Sequence, residues 1–285
     1  MPEVLPSDAV RATSERDGAA ISSKPVAGGG KGLMMRQITG AVGMNNRVNS
    51  LGQPVGYQVP HWKAVNPPPK APIAGRYCRI EPIDIDRHAA DLFEAISDDA
   101  DGRTWTYMAY GPFGTLPEYR AWMKTTCLGD DPLFHAIVDS STDKAVGVAS
   151  YLRIDPKFGV IETGHIHFSP VLQDTRAATE AMYLMMRRVF EELGYRRYEW
   201  KCDALNEPSC KAAARLGFSF EGVFRQATIY KGRNRDTAWF AIIDHEWQAL
   251  KAAYETWLDP GNFDAHGKQQ QGLGALTAAA LGVNP

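Results

Sequence analysis

Four stretches of the chain hold residues whose types and spacing suit chemistry. In residues 160–168, Val-Ile-Glu-Thr-Gly-His-Ile-His-Phe, strand alternation puts His165 and His167 on one side and Glu162 on the other. Two imidazoles at that spacing suit a proton relay, a metal pair, or plain packing within a strand. No third ligand stands at a readable spacing, so no metal is expected. A second stretch runs Gln173-Asp174-Thr175-Arg176-Ala177-Ala178-Thr179 and opens a helix after a tight loop. Such a terminus offers unpaired backbone N–H groups and a partial positive charge, which suit a pyrophosphate. Asp174 there reads as the helix cap; its carboxylate would repel phosphate, and Arg176 would compensate as a cationic partner. The plainer alternative is an ordinary helix start at a sheet edge.

The third stretch is Asn206-Glu207-Pro208-Ser209-Cys210. Asn206 and Ser209 suit capping of a short helix. Cys210, with no histidine at a suggestive position, reads as a packed thiol. The fourth, residues 104–113, clusters Trp105, Tyr107, Tyr110 and Phe113. These rings could wall a cleft for an apolar or cationic group, or fill core space under a long loop.

The elements that must position these residues follow from periodicity. Residues 76–83 alternate as a strand closed by Pro82, and Asp86 is expected to cap a helix carrying Leu92, Phe93 and Ile96. Pro117 suits the first turn of a second helix. Residues 133–139, 145–154 and 160–168 read as three consecutive strands joined by turn-rich connections. The period then changes to 3.6 over 177–193, with Gly194 after it. A strand at 197–202, a short helix at 207–216 stopped by Gly217, strands at 218–229 and 236–243, and a helix from His245 to Leu258 complete the order. The expected fold class is α/β (α+β): one domain over 76–258, with a mixed sheet and helices on both faces.

Composition bounds the rest. The chain has 285 residues and a net charge of -2, which excludes a strongly basic nucleic-acid binder. No apolar run is long enough to span a membrane. Residues 1–75 hold 8 of the 31 Lys/Arg, 4 of the 33 Asp/Glu and only two aromatics, Tyr57 and Trp62, so the core must lie after them. Residues 1–43 read as a disordered leader, with Met44 a suitable start behind it. Residues 44–75 read as an extended Pro-rich arm strapped to its own domain, and 259–285 as a disordered tail. The four cysteines are widely spaced, as reduced thiols of a cytoplasmic protein would be. The domain's net acidity mildly favours amine or basic acceptors over acidic ones.

Three segments together resemble the GNAT superfamily of acyl-CoA-dependent N-acyltransferases, and within it the RimJ/RimL-like branch, over roughly 76–250. Residues 173–181 occupy the place of the Q/R-x-x-G-x-G/A loop and its Thr-Glu-Ala, although Asp174 and Arg176 stand where glycines are usual. Asn206-Glu207-Pro208-Ser209 precedes Leu216-Gly217-Phe218 at the family's spacing. Gly232, Arg235 and Asp236 match the turn before the last strand. The resemblance implies a mostly antiparallel GNAT-like sheet and acetyl-CoA as co-substrate, held by Phe168, Gln173, Asp174, Thr175, Arg176, Ala177, Ala178, Thr179, Asn206 and Ser209. It also implies Glu162 as the group taking the amine proton through water, the alternative being an exposed strand glutamate paired with a neighbouring Lys or Arg. A tyrosine that many members carry seven residues after the asparagine is here Ala213, as in the RimJ/RimL-like branch, which leaves Ser209 to protonate the thiolate. Trp105, Tyr107, Tyr110, Glu162 and Arg225 would contact the acceptor.

The reading so reached is a cytoplasmic N-acyltransferase moving acetyl, or another small acyl group, to a primary amine. The acceptor would be a small molecule or a peptide N-terminus, with no nucleic-acid or membrane partner, and the resemblance allows a homodimer. A non-catalytic acyl-CoA sensor and an α/β interaction module stand as alternatives.

Overall fold

Strand β1 (Ile73–Ala74) and strand β2 (Cys78–Pro82) open the folded region of the computed structural model, which describes residues 47–283. The expected leader, 1–43, lies outside the described residues. The strand expected from Arg76 begins instead at Cys78, as β2, for a clear reason. The N–H groups of Arg76, Tyr77 and Cys78 all donate to the Glu180 carboxylate, at 2.8, 2.6 and 2.9 Å, and so hold this turn against a helix.

Helix α1 (Ile85–Ile96) is capped by Asp84 and not by Asp86. Asp84 has the extended backbone a cap requires, and its carboxylate accepts from the N–H groups of Asp86 and Arg87. Helix α2 (Leu116–Thr126) has a capping box between Thr115 and Glu118, with Pro117 in its first turn. Strands β3 (Leu133–Asp139), β4 (Ala145–Asp155) and β5 (Val160–Phe168) form the expected meander. Helix α3 (Arg176–Arg187) continues into a π-type turn at Arg188–Glu192. Strand β6 (Arg197–Asp203), helix α4 (Glu207–Arg215), strands β7 (Ser219–Tyr230) and β8 (Arg233–Ile243), and helix α5 (Asp244–Leu258) follow. Gly217, at φ +91°, ends α4 in the left-handed region that side chains resist.

The strands form one sheet in the order β1-β2-β3-β4-β5-β6-β8-β7. Every pairing is antiparallel except β5 with β6. Helices cover both faces. Phe134, Ala136 and Val138 pack with Leu92 of α1 and Met123 of α2. Ile137, Tyr151 and Tyr198 pack on the other face with Met185 of α3 and Tyr254 of α5.

The flanks differ in outcome. The arm straps its own domain: Trp62 donates to the Lys157 carbonyl at 2.9 Å, and Arg188 donates to the carbonyls of Ala71 and Pro72. The tail is not disordered over its described length. After a 3₁₀ turn at Pro260–Asn262, helix α6 (Leu273–Ala280) buries Leu273, Thr277 and Ala278. Trp257 donates to Gln269 at 2.7 Å, and Asn262 donates to the carbonyls of Trp257 and Gln271. The Gln269-Gln270-Gln271 run therefore folds because its amides and backbone find buried partners.

Candidate active site

The site originates where the sheet opens. β5 and β6 pair in parallel only from Val160/Arg197 to Thr163/Trp200. Past Thr163 the β6-facing amides of β5 have no ladder partner, so backbone donors line the gap. Two clefts meet there. One, of about 1170 Å³, runs from the gap to the start of α3. The other, of about 630 Å³, lies over β6, β7 and β8. Tyr107, Ile166, Trp200, Asn206 and Ser209 line both.

The larger cleft collects most of the residues expected to bind coenzyme: Phe168, Gln173, Asp174, Thr175, Arg176, Ala178, Thr179, Asn206 and Ser209. Ala177 is buried in the core behind them. Two of these do something other than expected. The cap of α3 is Thr175, whose hydroxyl accepts from the Ala178 N–H at 3.1 Å; Asp174 instead takes φ +59°. The loop thus keeps the left-handed turn that a glycine would make easily, with an aspartate bearing the strain. The Gln173 amide donates to the Phe168 carbonyl at 2.8 Å and so braces the loop against β5. Arg176 lies between the rings of Tyr77 and Phe263, at 5.0 and 4.6 Å from their centroids. The cleft also receives Arg103, Lys211, Arg215 and Lys268; Arg103 and Lys211 pair with Asp101 and Glu207, so Arg176, Arg215 and Lys268 make it positive against the carboxylate of Asp174. Lys268, Phe263 and Gln269 come from the tail, which the expectation of disorder had removed from the site.

Asn206 caps α4, accepting from the Ser209 N–H at 3.2 Å. The Ser209 hydroxyl accepts from Trp200 Nε1 at 3.0 Å. Its own proton is thereby free to point elsewhere. Ala213 is fully buried, and Cys210 lies 3.6 Å from Cys202 as one of four buried free thiols.

In the smaller cleft a β-bulge changes the expected parity. Between Val148/His167 and Ser150/Gly164 the register gains one residue on β5, and His165 takes φ +49°. His165 therefore joins Glu162 on the cleft wall, where strict alternation had put them on opposite faces. His165 Nδ1 is 3.0 Å from the Tyr110 hydroxyl. His167 stacks on Trp105 and lies 2.9 Å from the Thr104 hydroxyl, which itself donates to Asp99. The hydroxyl has one proton, so His167 supplies the Nε2–H. Burial lowers the pKa of both histidines to about 4, leaving neutral rings at pH 7.

Glu162 is buried and doubly paired. One oxygen is 2.6 Å from Arg153 Nη1 and the other 2.8 Å from Lys201 Nζ. Burial pushes its carboxyl above the usual carboxylate range, against the pull of Lys201 and then Arg153. Lys201 also pairs with Glu199 at 2.8 Å and sits 3.7 Å over the Trp239 ring. Neither Arg153 nor Lys201 was among the expected site residues. Each lies on a different strand from Glu162, so only strand pairing brings them together.

Tyr107 and Tyr110 line the smaller cleft as expected. Trp105 does not: it is buried against Phe113 and His167 in the core beneath α1 and α2. Arg225 is also displaced. The β7 register absorbs extra residues between Phe224 and Thr228, with Gln226 at φ +51°, and Arg225 stands exposed outside both clefts. Among the described residues, no cluster of three metal-ligating side chains occurs and no helix is long and apolar enough to cross a membrane.

Known proteins share this fold. A family model described as Acetyltransferase (GNAT) domain matches residues 78–219. The crystal structure of a GCN5-related N-acetyltransferase from Brucella melitensis is 44% identical, covering 77% of this chain and 99% of that one at a TM-score of 0.75. A probable acetyltransferase of the GNAT family from Chromobacterium violaceum is 39% identical, covering 69% and 98% at a TM-score of 0.64. The uncharacterized N-acetyltransferase p20 of Bacillus licheniformis is 28% identical over 116 residues, 39% of this chain and 62% of that protein, so the chain spans less than two thirds of this relative. A parallel strand pair that parts beside a cationic cleft, and likeness to two such structures over nearly their whole length, lead to one conclusion: the chain belongs to the GNAT family of acetyltransferases.

Proposed function

We propose that the chain transfers an acetyl group from acetyl-CoA to a primary amine in a ternary complex, as a member of the RimJ/RimL-like branch. The observation that carries this reading is the junction of two clefts at the β5/β6 gap, with Ser209 and Trp200 in the wall of both. The larger cleft fits an acyl-CoA. It is long, it ends at the first-turn amides of α3, and Arg176, Lys211, Arg215 and Lys268 offer cations for phosphates. The acetyl thioester would then stand in the gap, beside backbone N–H groups of β5 that suit its carbonyl oxygen.

An amine in the smaller cleft attacks the thioester carbonyl carbon. The C–N bond forms, the C–S bond breaks, the sulfur leaves with the bonding pair, and the nitrogen must lose a proton. Glu162 is our acceptor for that proton, through water. Its raised pKa suits a base better than that of an ordinary carboxylate. The Ser209 hydroxyl relays a proton to the departing sulfur, taking one back from water as it gives its own, in place of the tyrosine that Ala213 replaces.

The test is release of free thiol from acetyl-CoA with a panel of primary amines and N-terminal peptides. Amine-dependent release, with kcat lowered about a hundredfold or more in Glu162→Gln, is expected. Acetyl-CoA binding without release for any amine would overturn the transferase reading in favour of a sensor.

A further inference from the structure

Strand β8 presents Arg235, Thr237 and Trp239 to the smaller cleft on alternate positions, about 7 Å apart in sequence steps of two. Across the ladder stand Lys201, opposite Trp239, and Asp203, opposite Thr237. The cations of this wall differ in one respect. Arg153 and Lys201 are both paired with Glu162. Among the described residues Arg235 has no carboxylate within ion-pair distance, and its Nε is buried without an acceptor. Trp239 Nε1, a group that can only donate, is buried without an acceptor in the same row.

The nearest carboxylate in the ladder does not answer them. Asp203 accepts from the Tyr230 hydroxyl at 2.8 Å and from the Leu205 N–H at 2.9 Å. Buried donors are nearly always partnered in native proteins, so two unpartnered ones on one face of a cleft point to a ligand. The Arg235 guanidinium, 5.8 Å from the Tyr230 ring centroid, is a fork that matches a planar or tetrahedral oxyanion, and the Trp239 N–H lies two alternate positions further along the same wall.

We infer that the acceptor is a small zwitterion: an amine that also carries an oxyanion, a carboxylate or phosphate, held by Arg235, with Trp239 further along the same wall, while its amine faces Glu162. This rests on the smaller cleft being the acceptor side of the transfer. It also reverses the preference suggested by net charge, because the acidic groups of this wall are already paired or hydrogen-bonded and the free donors are cationic or N–H. The cleft volume of about 630 Å³ admits such a molecule.

The experiment compares matched acceptors: amino acids against their carboxamides, and phosphoethanolamine against ethanolamine. Wild-type kcat/KM should favour the acidic member of at least one pair by tenfold or more, and the favoured pair identifies carboxylate or phosphate. In Arg235→Met the ratio should fall toward one, and in Trp239→Phe part of the way, with the acetyl-CoA thermal shift retained as proof of folding. Calorimetric titration of the acids into the CoA-bound wild type and variants reads the same site without turnover. A wild-type ratio near one, a ratio unchanged in both variants, or equal heats of binding would overturn the inference. Failure of every amine to release thiol would instead sink the transferase reading, and calorimetry would still decide whether Arg235 binds an oxyanion.

Discussion

Lys201 reaches across the parallel seam of the sheet to place its ammonium 2.8 Å from a carboxylate oxygen of Glu162, with the face of Trp239 beneath it at 3.7 Å. This contact sets the charge state of the group we assign as base. Burial alone disfavours the Glu162 anion; Lys201 and Arg153 restore part of it.

Removing that support should move a measurable pKa. In Lys201→Met the Glu162 carboxyl keeps Arg153 but loses its buried partner, so its pKa rises further. The base works only when deprotonated, so the acid limb of the kcat/KM profile should shift to higher pH. Breaking a buried pair should also cost about 3 kcal/mol or more. A profile that stays in place would remove Glu162 from the proton path.

Ser209→Ala should lower kcat about tenfold or more while leaving acetyl-CoA binding near wild type. Asn206→Ala should act differently. It removes the cap of α4 and should cost about 1 kcal/mol of stability, with the KM for acetyl-CoA raised. Thermal melts and initial rates on the two variants separate these effects.

Buried histidines should make the protein acid-sensitive. His135, His165 and His167 each have a pKa lowered to about 4, with burial the main cause. The unfolded chain takes up these protons near pH 6.5 and the folded chain only near 4. Stability is therefore full above pH 6.5 and is lost as pH falls toward 4. Glu162 and Glu246 work in the opposite sense, since their raised folded pKa values favour the native state on acidification. The three histidines, however, are joined by Glu81, Asp139 and Glu199, whose lowered carboxyls also lose stability as pH falls. Melting temperatures at pH 7.5, 6, 5 and 4.5 should fall progressively. His135→Leu should weaken that dependence and should be stabilising by about 1 kcal/mol at pH 7.5, since neither His135 ring nitrogen has a partner among the described residues.

The tail should matter to the donor cleft. Lys268→Ala removes a cation next to the start of α3 without touching the packing of α6, and should weaken acetyl-CoA binding by about 1 kcal/mol, roughly fivefold in Kd. Phe263→Ala frees Arg176 from one of its two rings and should lower the melting temperature as well. Unchanged affinity in both would make the tail a purely structural brace.

How much of this was legible beforehand differs from residue to residue. The meander of β3, β4 and β5, the first turn of α2 at Pro117, and the limits of α4 between Asn206 and Gly217 follow from alternation, caps and turn residues. All of these act over a few positions of chain. The same is true of the helix start that follows the loop at 173–175. Pairing of Glu162 with a neighbouring Lys or Arg is legible as an alternative, but not with which ones, because Arg153 and Lys201 lie on neighbouring strands and only the register of the ladder joins them.

The remaining differences have a common physical cause. A single inserted residue in β5 turns His165 onto the face of Glu162, and a second irregularity in β7 turns Arg225 away from the cleft. Trp105 goes inward while Tyr107, two residues on, goes to the cleft, because a 3₁₀ turn at Arg103–Trp105 breaks simple alternation. The glutamine-rich tail folds because Trp257 and Asn262 supply buried hydrogen-bond partners. The sequence by itself determined the elements and their order, since propensity, capping and periodicity are local. Only the tertiary structure decided which face each functional side chain takes and which charges meet, since bulges and cross-strand pairs depend on packing between residues far apart in the chain.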